Sequence, residues 1–245
     1  YDGTASTKHE VTVTGDGFVK GEGATYKVTG SQTLVGSSDN EFTYELNKGT
    51  NADNYTITTK SGQLTVTDRA ETDKFEITVE ANSKEEKYTG EKQSVTGFKK
   101  TEFTVNGKKY TVSGLTSKAE GTDSGDYTTA IEGTAVVKDA DENDVTKQFN
   151  VKTKVGKLSI TKRAVKMTSA TDSKPYDGTA LTKHEVTVTG DGFVKGEVTD
   201  IKATGSITTV GKVTNTITYT PSDKFKEKNY TITKHEGELS VTEKS

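Results

Sequence analysis

The chain opens with the sequence YDGTASTKHEVTVTGDGFVKGE at residues 1–22. Residues 176–197 read YDGTALTKHEVTVTGDGFVKGE, and the two stretches differ only where Leu181 stands in place of Ser6. The match continues without a gap to residues 67 and 242, so that 40 of the 67 aligned positions are identical. Because copies this similar are expected to fold alike, the duplication, at a constant offset of 175 residues, decides the organisation of the chain.

A diverged third copy lies between these two. It starts with KYTGEKQSVTGF at 87–98 and ends with FNVKTKVGKLSIT at 149–161. Tyr1, Tyr88 and Tyr176 open the three copies and are spaced by 87 and 88 residues. That spacing is too long for a solenoid repeat and suits a small autonomous domain.

The copies predict three tandem domains, which we name repeat 1 (1–68), repeat 2 (69–163) and repeat 3 (164–245). A strand is predicted before Tyr176, at 163–170, and before Tyr88, at 74–80. Repeat 1 begins at its tyrosine, and it is therefore predicted to be truncated, with its first strand missing. We expect an exposed sheet edge or gap there, which would invite strand pairing with another chain.

Apolar and β-branched side chains alternate with polar ones in every repeat, as half-buried strands require. In repeat 1 the alternation covers 11–13 and 42–46, and 55–57 and 64–66 are expected to form a hairpin around Ser61-Gly62. The segment Glu120 to Ala130 has no apolar stripe and is predicted to be a loop. The predicted fold class is mainly β, with three small β domains elongated end to end.

The composition narrows the function classes. Hydrophobic residues make up 29% of the chain and the mean hydropathy is -0.73, which suits small domains with thin cores. Cys and Trp are absent, so disulfides and thiolate metal sites are excluded. With a net charge of -3 and no basic repeat, nucleic acid is not expected as a partner. No apolar run is long enough to predict membrane insertion. The sequence contains no signal peptide or wall-anchoring tail, so it would be an internal fragment if the protein is exported.

The Tyr-Asp-Gly motif occurs as Tyr1-Asp2-Gly3 and as Tyr176-Asp177-Gly178. Because the motif is repeated, a binding role is one possible interpretation. We interpret it instead as a structural motif, in which Asp bonds its own backbone, Gly takes the left-handed conformation and Tyr packs into the core.

A calcium loop is suggested by Asp139, Asp141 and Asn143, whose oxygens are spaced as Ca²⁺ ligands can be. Positions six and twelve of such a loop would have to be Gly and Glu, and they are Asp144 and Asn150. A polar hairpin turn is therefore preferred. The histidines, at positions 9, 184 and 235, have no second histidine nearby in sequence, so no zinc site and no cofactor is predicted.

Two tyrosines of repeat 2, Tyr110 and Tyr127, flank a predicted long loop at 114–127. They are candidate contacts for a ligand such as a glycan. The alternative is that both are core residues of strands.

The motif Tyr-Asp-Gly-Thr, after the Met-Thr-Ser-Ala strand at 167–170, resembles the YDG-type repeats of bacterial surface proteins. The ending Asn-Tyr-Thr-Ile-Thr followed by Gly-x-Leu-x-Val-Thr is similar to the MBG-type repeats that accompany them. The resemblance implies β-grasp-like or immunoglobulin-like modules in long arrays of adhesins, outside the cell at the bacterial surface and associated with the cell wall. Repeat 2 departs from it, since Tyr88-Thr89-Gly90 replaces Tyr-Asp-Gly. The resemblance brings no catalytic residues.

The links between the repeats are very short, because residues 158–161 run through Lys162-Arg163 directly into the next predicted strand. Such a short link predicts a rigid rod rather than domains that reorient independently. The leading interpretation is a monomeric stalk or spacer that displays adhesive or other domains away from the cell. The alternative is an adhesin module that binds host glycan, mucin or another extracellular matrix protein. An enzyme is not expected, because modules of this size rarely hold a catalytic cleft and no nucleophile motif is present.

Overall fold

The structure is a computed structural model that describes residues 1–245. Strands contain 52% of the residues, and helices contain 5%, none of them seven residues or longer. The chain is therefore mainly β, as the alternating pattern predicts.

The strands are numbered in chain order. Repeat 1 contains β1 (Ala24–Val28), β2 (Gly36–Asn40), β3 (Phe42–Leu46) and β4 (Gly62–Val66). Repeat 2 contains β5 (Phe75–Glu80), β6 (Lys84–Lys87), β7 (Gln93–Thr96), β8 (Glu102–Val105), β9 (Lys108–Gly121), β10 (Gly125–Thr128), β11 (Ala130–Asp139), β12 (Phe149–Lys154) and β13 (Lys157–Thr161). Repeat 3 contains β14 (Arg163–Ser169), β15 (Asp172–Pro175), β16 (Leu181–Thr182), β17 (Val186–Gly190), β18 (Val198–Ala203), β19 (Ser206–Ile207), β20 (Gly211–Thr214), β21 (Ile217–Pro221), β22 (Tyr230–His235) and β23 (Glu238–Thr242). The only helices are four 3₁₀ turns at Ala52–Asn54, Glu71–Asp73, Thr146–Gln148 and Glu227–Asn229.

The chain groups into two compact units, so the predicted three-domain arrangement is not confirmed. Unit 1 contains Tyr1–Val79, Lys100–Leu115 and Gly133–Lys152. Unit 2 contains Glu80–Lys99, Thr116–Glu132 and Thr153–Ser245. Repeat 1 thus belongs to unit 1 and repeat 3 to unit 2, whereas repeat 2 contributes to both.

Unit 1 is built from small antiparallel pairs. Strand β1 pairs with β3, β2 pairs with β4, and β8 forms a hairpin with the start of β9. Its aromatic core contains Tyr110, whose ring lies edge-on to Phe149 at 4.7 Å between centroids, and Phe75 packs on Phe149 at 5.6 Å. Edge and tilted contacts of this kind stabilise aromatic pairs beyond the area that they bury.

Unit 2 contains three mixed sheets, and each has a central strand between one antiparallel and one parallel neighbour. Strand β14 lies between β17, which is antiparallel, and β22, which is parallel to it. Strand β23 lies between β20, which is antiparallel, and β15, which is parallel. The corresponding strand of repeat 2, β13, likewise lies between antiparallel β10 and parallel β6.

The core of unit 2 lies between these sheets. Leu158, Met167 and Leu239 are fully buried, and Val165 and Ile217 are each 1% exposed. Burying one such side chain contributes roughly 1.5–3 kcal/mol. Val165 and Met167 alternate along β14 with exposed Lys166 and Thr168, so β14 inserts one apolar face into the core.

Three local predictions were wrong. Residues 114–121 and 125–128 lie in strands β9 and β10, so neither 114–127 nor 120–130 is a long loop. Residues 11–13 and 55–57 lie outside any strand, although the same sequences form β17 and β22 in repeat 3. The expected closing hairpin is instead a corner, since β22 and β23 belong to different sheets. The reason is that pairing partners distant in sequence decide each of these elements.

Candidate functional site: the tyrosine junctions

The Tyr-Asp-Gly motif forms a tight turn. Asp2 Oδ1 accepts hydrogen bonds from Thr4 N at 2.8 Å and from Thr4 Oγ1 at 2.6 Å, which lowers the pKa of the carboxyl group. Asp177 makes the same two bonds with Thr179, at 2.9 and 2.8 Å. The glycines that follow, Gly3 and Gly178, have φ of 82° and 79°, which is the left-handed region that glycine enters without strain.

The backbone of each motif tyrosine is tied to the last strand of its own repeat. Hydrogen bonds run from the backbone nitrogen of Tyr1 to Thr67 O, from that of Tyr88 to Thr161 O and from that of Tyr176 to Thr242 O, each at 2.8 Å. The three tyrosines therefore leave their repeats at equivalent points.

In unit 1, the side chain of Tyr1 reaches repeat 2. Its hydroxyl hydrogen-bonds the hydroxyl of Tyr110 at 2.9 Å, and burial and this bond together raise the pKa of Tyr1 above its ordinary value. The Asn106 side-chain amide donates to Asp2 O at 3.0 Å. A Cβ on Gly3 would overlap the Tyr110 hydroxyl, so the motif glycine also permits the close approach. We call this set of contacts the first junction.

In unit 2, Tyr88 makes the equivalent contact with repeat 3. Its hydroxyl donates to Glu197 Oε2 at 2.8 Å, while Tyr230 donates to Glu197 Oε1 at 2.8 Å. Tyr88 and Glu197 are each 3% exposed. A buried carboxylate is stable only when its oxygens are hydrogen-bonded, and the two phenols supply those bonds. We call this set of contacts the second junction.

Burial and the adjacent carboxylate keep both phenols of the second junction protonated. Burial, followed by the hydrogen bond to Glu197, raises the pKa of Tyr88 above its ordinary value. Burial is also the main cause that raises the pKa of Tyr230 to about 12. The Val194 amide donates to the Tyr230 hydroxyl at 3.0 Å, which fixes the phenol from the other side.

An arginine two residues after Thr67 or Thr161 clamps each junction. Arg69 Nη1 donates to Tyr1 O at 2.8 Å, and Arg163 Nη1 donates to Tyr88 O at 3.1 Å. Arg163 also donates to Gly192 O at 2.9 Å and to Asp191 O, so one guanidinium joins two repeats. The planar fork of arginine suits this multiple donation.

Ion pairs surround the second junction. Lys87 and Asp191 lie 2.6 Å apart, and Asp123 lies 2.9 Å from Lys226 and 3.4 Å from Lys228. The lysines lower the pKa of both carboxyl groups. Each pair joins a residue of repeat 2 to a residue of repeat 3.

The third motif tyrosine has no such partner. Tyr176 is 42% exposed. The position two residues after Thr242 is Lys244, where the other repeats have arginine.

The residues predicted to contact a ligand or a metal form hydrogen bonds within the protein. Tyr110 is 1% exposed and belongs to the first junction, and half-buried Tyr127 donates from its hydroxyl to Asp123 O at 2.8 Å. Asp139 Oδ1 accepts from the amides of Asp141 and Asn143, both at 2.9 Å, so the suggested calcium loop is closed as a polar turn. No group of three or more acidic or histidine side chains is arranged to hold a metal ion.

Sequence reasoning missed Glu197 and the two clamping arginines. A signal was present, because Glu22 and Glu197 share one repeat position and an Arg follows Thr67 and Thr161 at the same distance. Without the fold, however, a glutamate in a polar segment looks like any solvated carboxylate.

Comparison of the chain with protein-family models, with curated proteins and with solved structures found no match. None of the helices has the length and apolar character that crossing a membrane would demand. The sequence and the fold define a mainly β protein of tandem repeats. Tyr1 and Tyr88 each hydrogen-bond a side chain of the repeat that follows.

Proposed function

We propose that the chain is a structural spacer of a bacterial cell-surface protein, in which repeated β modules hold adhesive or other domains away from the cell. The observation that carries this proposal is the recurrence of the tyrosine junction. Tyr1 belongs to repeat 1 and Tyr88 to repeat 2, and the hydroxyl of each forms a hydrogen bond with a side chain of the following repeat.

The junctions favour a spacer because they restrict bending between consecutive repeats. A flexible tether rich in Gly and Ser would leave neighbouring domains free to reorient. Here Thr161 is separated from Arg163 by one residue, and Arg163 immediately begins β14. A buried tyrosine, a clamping arginine and flanking ion pairs then fix the same connection.

Within this proposal each repeat is a small module of the β-grasp-like or immunoglobulin-like kind. The parallel pairing of β14 with β22 supports a grasp-like arrangement, because it places the first long strand of repeat 3 beside one of its last strands. The module lies outside the cell, associated with the bacterial wall.

For the alternative of an adhesin, the two candidate aromatic contacts are not presented as a glycan site would present them. A glycan site would present exposed aromatic side chains clustered on repeat 2. Tyr110, one of its two candidates, is buried, and the hydroxyl of Tyr127 is bonded to the backbone oxygen of Asp123, four residues away. The spacer is therefore the better-supported function.

The test is to display an epitope on cells above one, two or three copies of residues 1–175, the last of which is joined to residues 176–245. The expected result is that the height of the epitope above the membrane, measured by energy transfer to a membrane dye, rises by a constant increment with each copy. Tyr88→Ala in every copy should make the height smaller and more variable, and Tyr176→Ala in the final repeat should leave it unchanged. A height independent of copy number would overturn the proposal.

A further inference from the structure

The hairpin between β8 and β9 turns at an asparagine followed by a glycine, Asn106-Gly107. Val105 pairs with Lys108 across the turn, so only these two residues connect the strands. Both have a positive φ, 50° for Asn106 and 75° for Gly107, as in the type I′ turn that this dipeptide favours. No other asparagine of the chain is followed by glycine. The turn therefore contains a pair of residues with a chemistry of its own.

An asparagine followed by glycine is open to attack by the backbone on its own side-chain amide. The nitrogen of the next residue reaches Cγ of the asparagine more easily when that residue is glycine, because no side chain obstructs the approach. Asn106 and Gly107 are both exposed. Beyond the chain neighbours of Gly107, nothing lies within 4 Å of the point where its Cβ would stand. The folded chain thus leaves this pair unshielded.

The same asparagine side chain is part of the first junction. Its Nδ2 donates a hydrogen bond of 3.0 Å to Asp2 O. Asp2 follows Tyr1, whose hydroxyl bonds the hydroxyl of Tyr110 at 2.9 Å. Tyr110 lies on β9 and pairs with Phe103 of β8, in the hairpin that Asn106 closes. The amide that is open to attack therefore also joins repeat 1 to repeat 2.

We propose that Asn106 is a site of spontaneous deamidation, which loosens the first junction as the protein ages. The nitrogen of Gly107 attacks Cγ of Asn106, so that a new N–Cγ bond forms and the Cγ–Nδ2 bond breaks. Nδ2 takes up the proton of the Gly107 amide and leaves as ammonia, and a five-membered cyclic imide remains. Water then opens the ring, at Cγ to give aspartate or at the main-chain carbonyl to give isoaspartate. Water is the only reactant that the chain does not supply.

Either product weakens the first junction. A carboxylate at position 106 accepts hydrogen bonds but has none to donate, so the bond to Asp2 O is lost. Its negative charge also faces a carbonyl oxygen, which repels it. Isoaspartate adds a methylene group to the backbone of a two-residue turn, and such a turn sets the register of the strands that it connects. The change therefore reaches the β8–β9 pairing that positions Tyr110.

The second junction contains no equivalent site. Tyr88 and Tyr230 bond the carboxylate of Glu197 there, which has no amide to lose. Asn229, which bonds Asp123 beside that junction, is completely buried and is followed by a tyrosine. Ageing by this route is therefore expected at the first junction alone. The modification is additional to the spacer function and does not rest on it.

A direct test follows the full chain during prolonged incubation in a warm, mildly alkaline buffer. Mass spectrometry of its proteolytic fragments should show a mass increase of one dalton that accumulates at Asn106, with isoaspartate detected there by an isoaspartate methyltransferase. Exposed Asn51, which is followed by alanine, is the internal control and should keep its mass. An unmodified Asn106, after a time that fully converts a free peptide of residues 102–111, would overturn the proposal.

The substitution Tyr1→Phe tests the link between the reaction and the junction. It removes the hydrogen bond to Tyr110, and the loss of one such bond shifts an equilibrium by about fivefold. Asn106 should then separate from Asp2 O more often, and its deamidation should be about fivefold faster. An unchanged rate would show that the first junction does not hold Asn106, and would overturn that part of the proposal.

Two further variants test the consequence. Asn106→Asp reproduces one product and should have a lower thermal midpoint than the unchanged chain, as the aged chain should. Asn106→Gly suits the positive φ of the turn and has no amide to lose, so its thermal midpoint should stay constant during the incubation. Equal midpoints for Asn106→Asp and the unchanged chain would overturn the loosening. A fall for Asn106→Gly as large as that of the unchanged chain would place the ageing elsewhere.

Discussion

The phenol of Tyr88 donates a hydrogen bond of 2.8 Å to Glu197 Oε2, across 109 residues of sequence. The bond joins the motif tyrosine of repeat 2 to a carboxylate buried in repeat 3. Both groups are almost inaccessible to water, so loss of the Tyr88 hydroxyl leaves Glu197 Oε2 without its partner, and Tyr230 still bonds Oε1.

The substitution Tyr88→Phe tests this relationship. It removes one hydrogen bond to a buried carboxylate and should lower the free energy of unfolding of unit 2 by about 2 kcal/mol. Tyr176→Phe is the matched control, because Tyr176 occupies the equivalent motif position and its side chain is exposed. Chemical denaturation should show a change within about 0.5 kcal/mol for the control. Equal effects of the two substitutions would show that the junction does not stabilise the fold.

The substitutions Gly237→Ala and Gly62→Ala test how tightly the chain packs at two equivalent positions. A methyl group at Gly237 would overlap the Ala170 carbonyl, so overpacking should destabilise unit 2 by about 1–3 kcal/mol. The same change at Gly62 enters open space and should be neutral or slightly stabilising. Thermal unfolding of the two variants gives the comparison, and equal destabilisation by both substitutions would show that the contact with the Ala170 carbonyl does not limit packing at Gly237.

Alkaline pH should unfold unit 2 through its phenols. The pKa of Tyr88 lies above its ordinary value of 10.0, and that of Tyr230 is raised to about 12. The folded protein therefore binds more protons than the unfolded chain above pH 10, and stability falls as the pH rises from there. Phenolate absorbance followed together with circular dichroism should show ionisation of these groups coinciding with unfolding. Free ionisation of all tyrosines near pH 10, without loss of structure, would contradict the assignment.

Acid should weaken the same unit through its carboxylates. The pKa values of Asp123 and Asp191 lie below their ordinary value of 3.8, chiefly because of hydrogen bonds from Lys226 and Lys87. Their contribution is complete above pH 3.8 and is lost as the pH falls through the lowered values. In a double variant, Asp123→Asn with Asp191→Asn, the dependence of the thermal midpoint on pH between about 4 and 2 should be shallower than in the unchanged chain. An unchanged dependence would show that other carboxylates control acid unfolding.

Much of the fold followed from the sequence, because the repeat is strict and local patterns suffice for single strands. The strand predicted at 163–170 is β14, at Arg163–Ser169, and the one predicted at 74–80 is β5, at Phe75–Glu80.

What could not be predicted depends on partners far away in sequence. The sequence pattern of a strand, a glycine and a second strand is the same for a hairpin and for a corner between two sheets. At Gly237 the chain forms a corner, and the Ala170 carbonyl packs against this glycine. The short strands β6 and β15 have polar sequences, and only their parallel neighbours β13 and β23 make them strands. Glu197 was missed for the same reason, because its two phenol partners come from different repeats.

The two junctions also differ in chemistry, and this bears on how such a gene can lengthen. The outgoing tyrosine of repeat 1 meets the phenol of Tyr110, whereas that of repeat 2 meets the carboxylate of Glu197. The two interfaces are therefore not interchangeable, and two copies of one type placed in succession would meet with mismatched surfaces. A duplication in steps of 175 residues, the sum of the 87- and 88-residue periods, would preserve both interfaces.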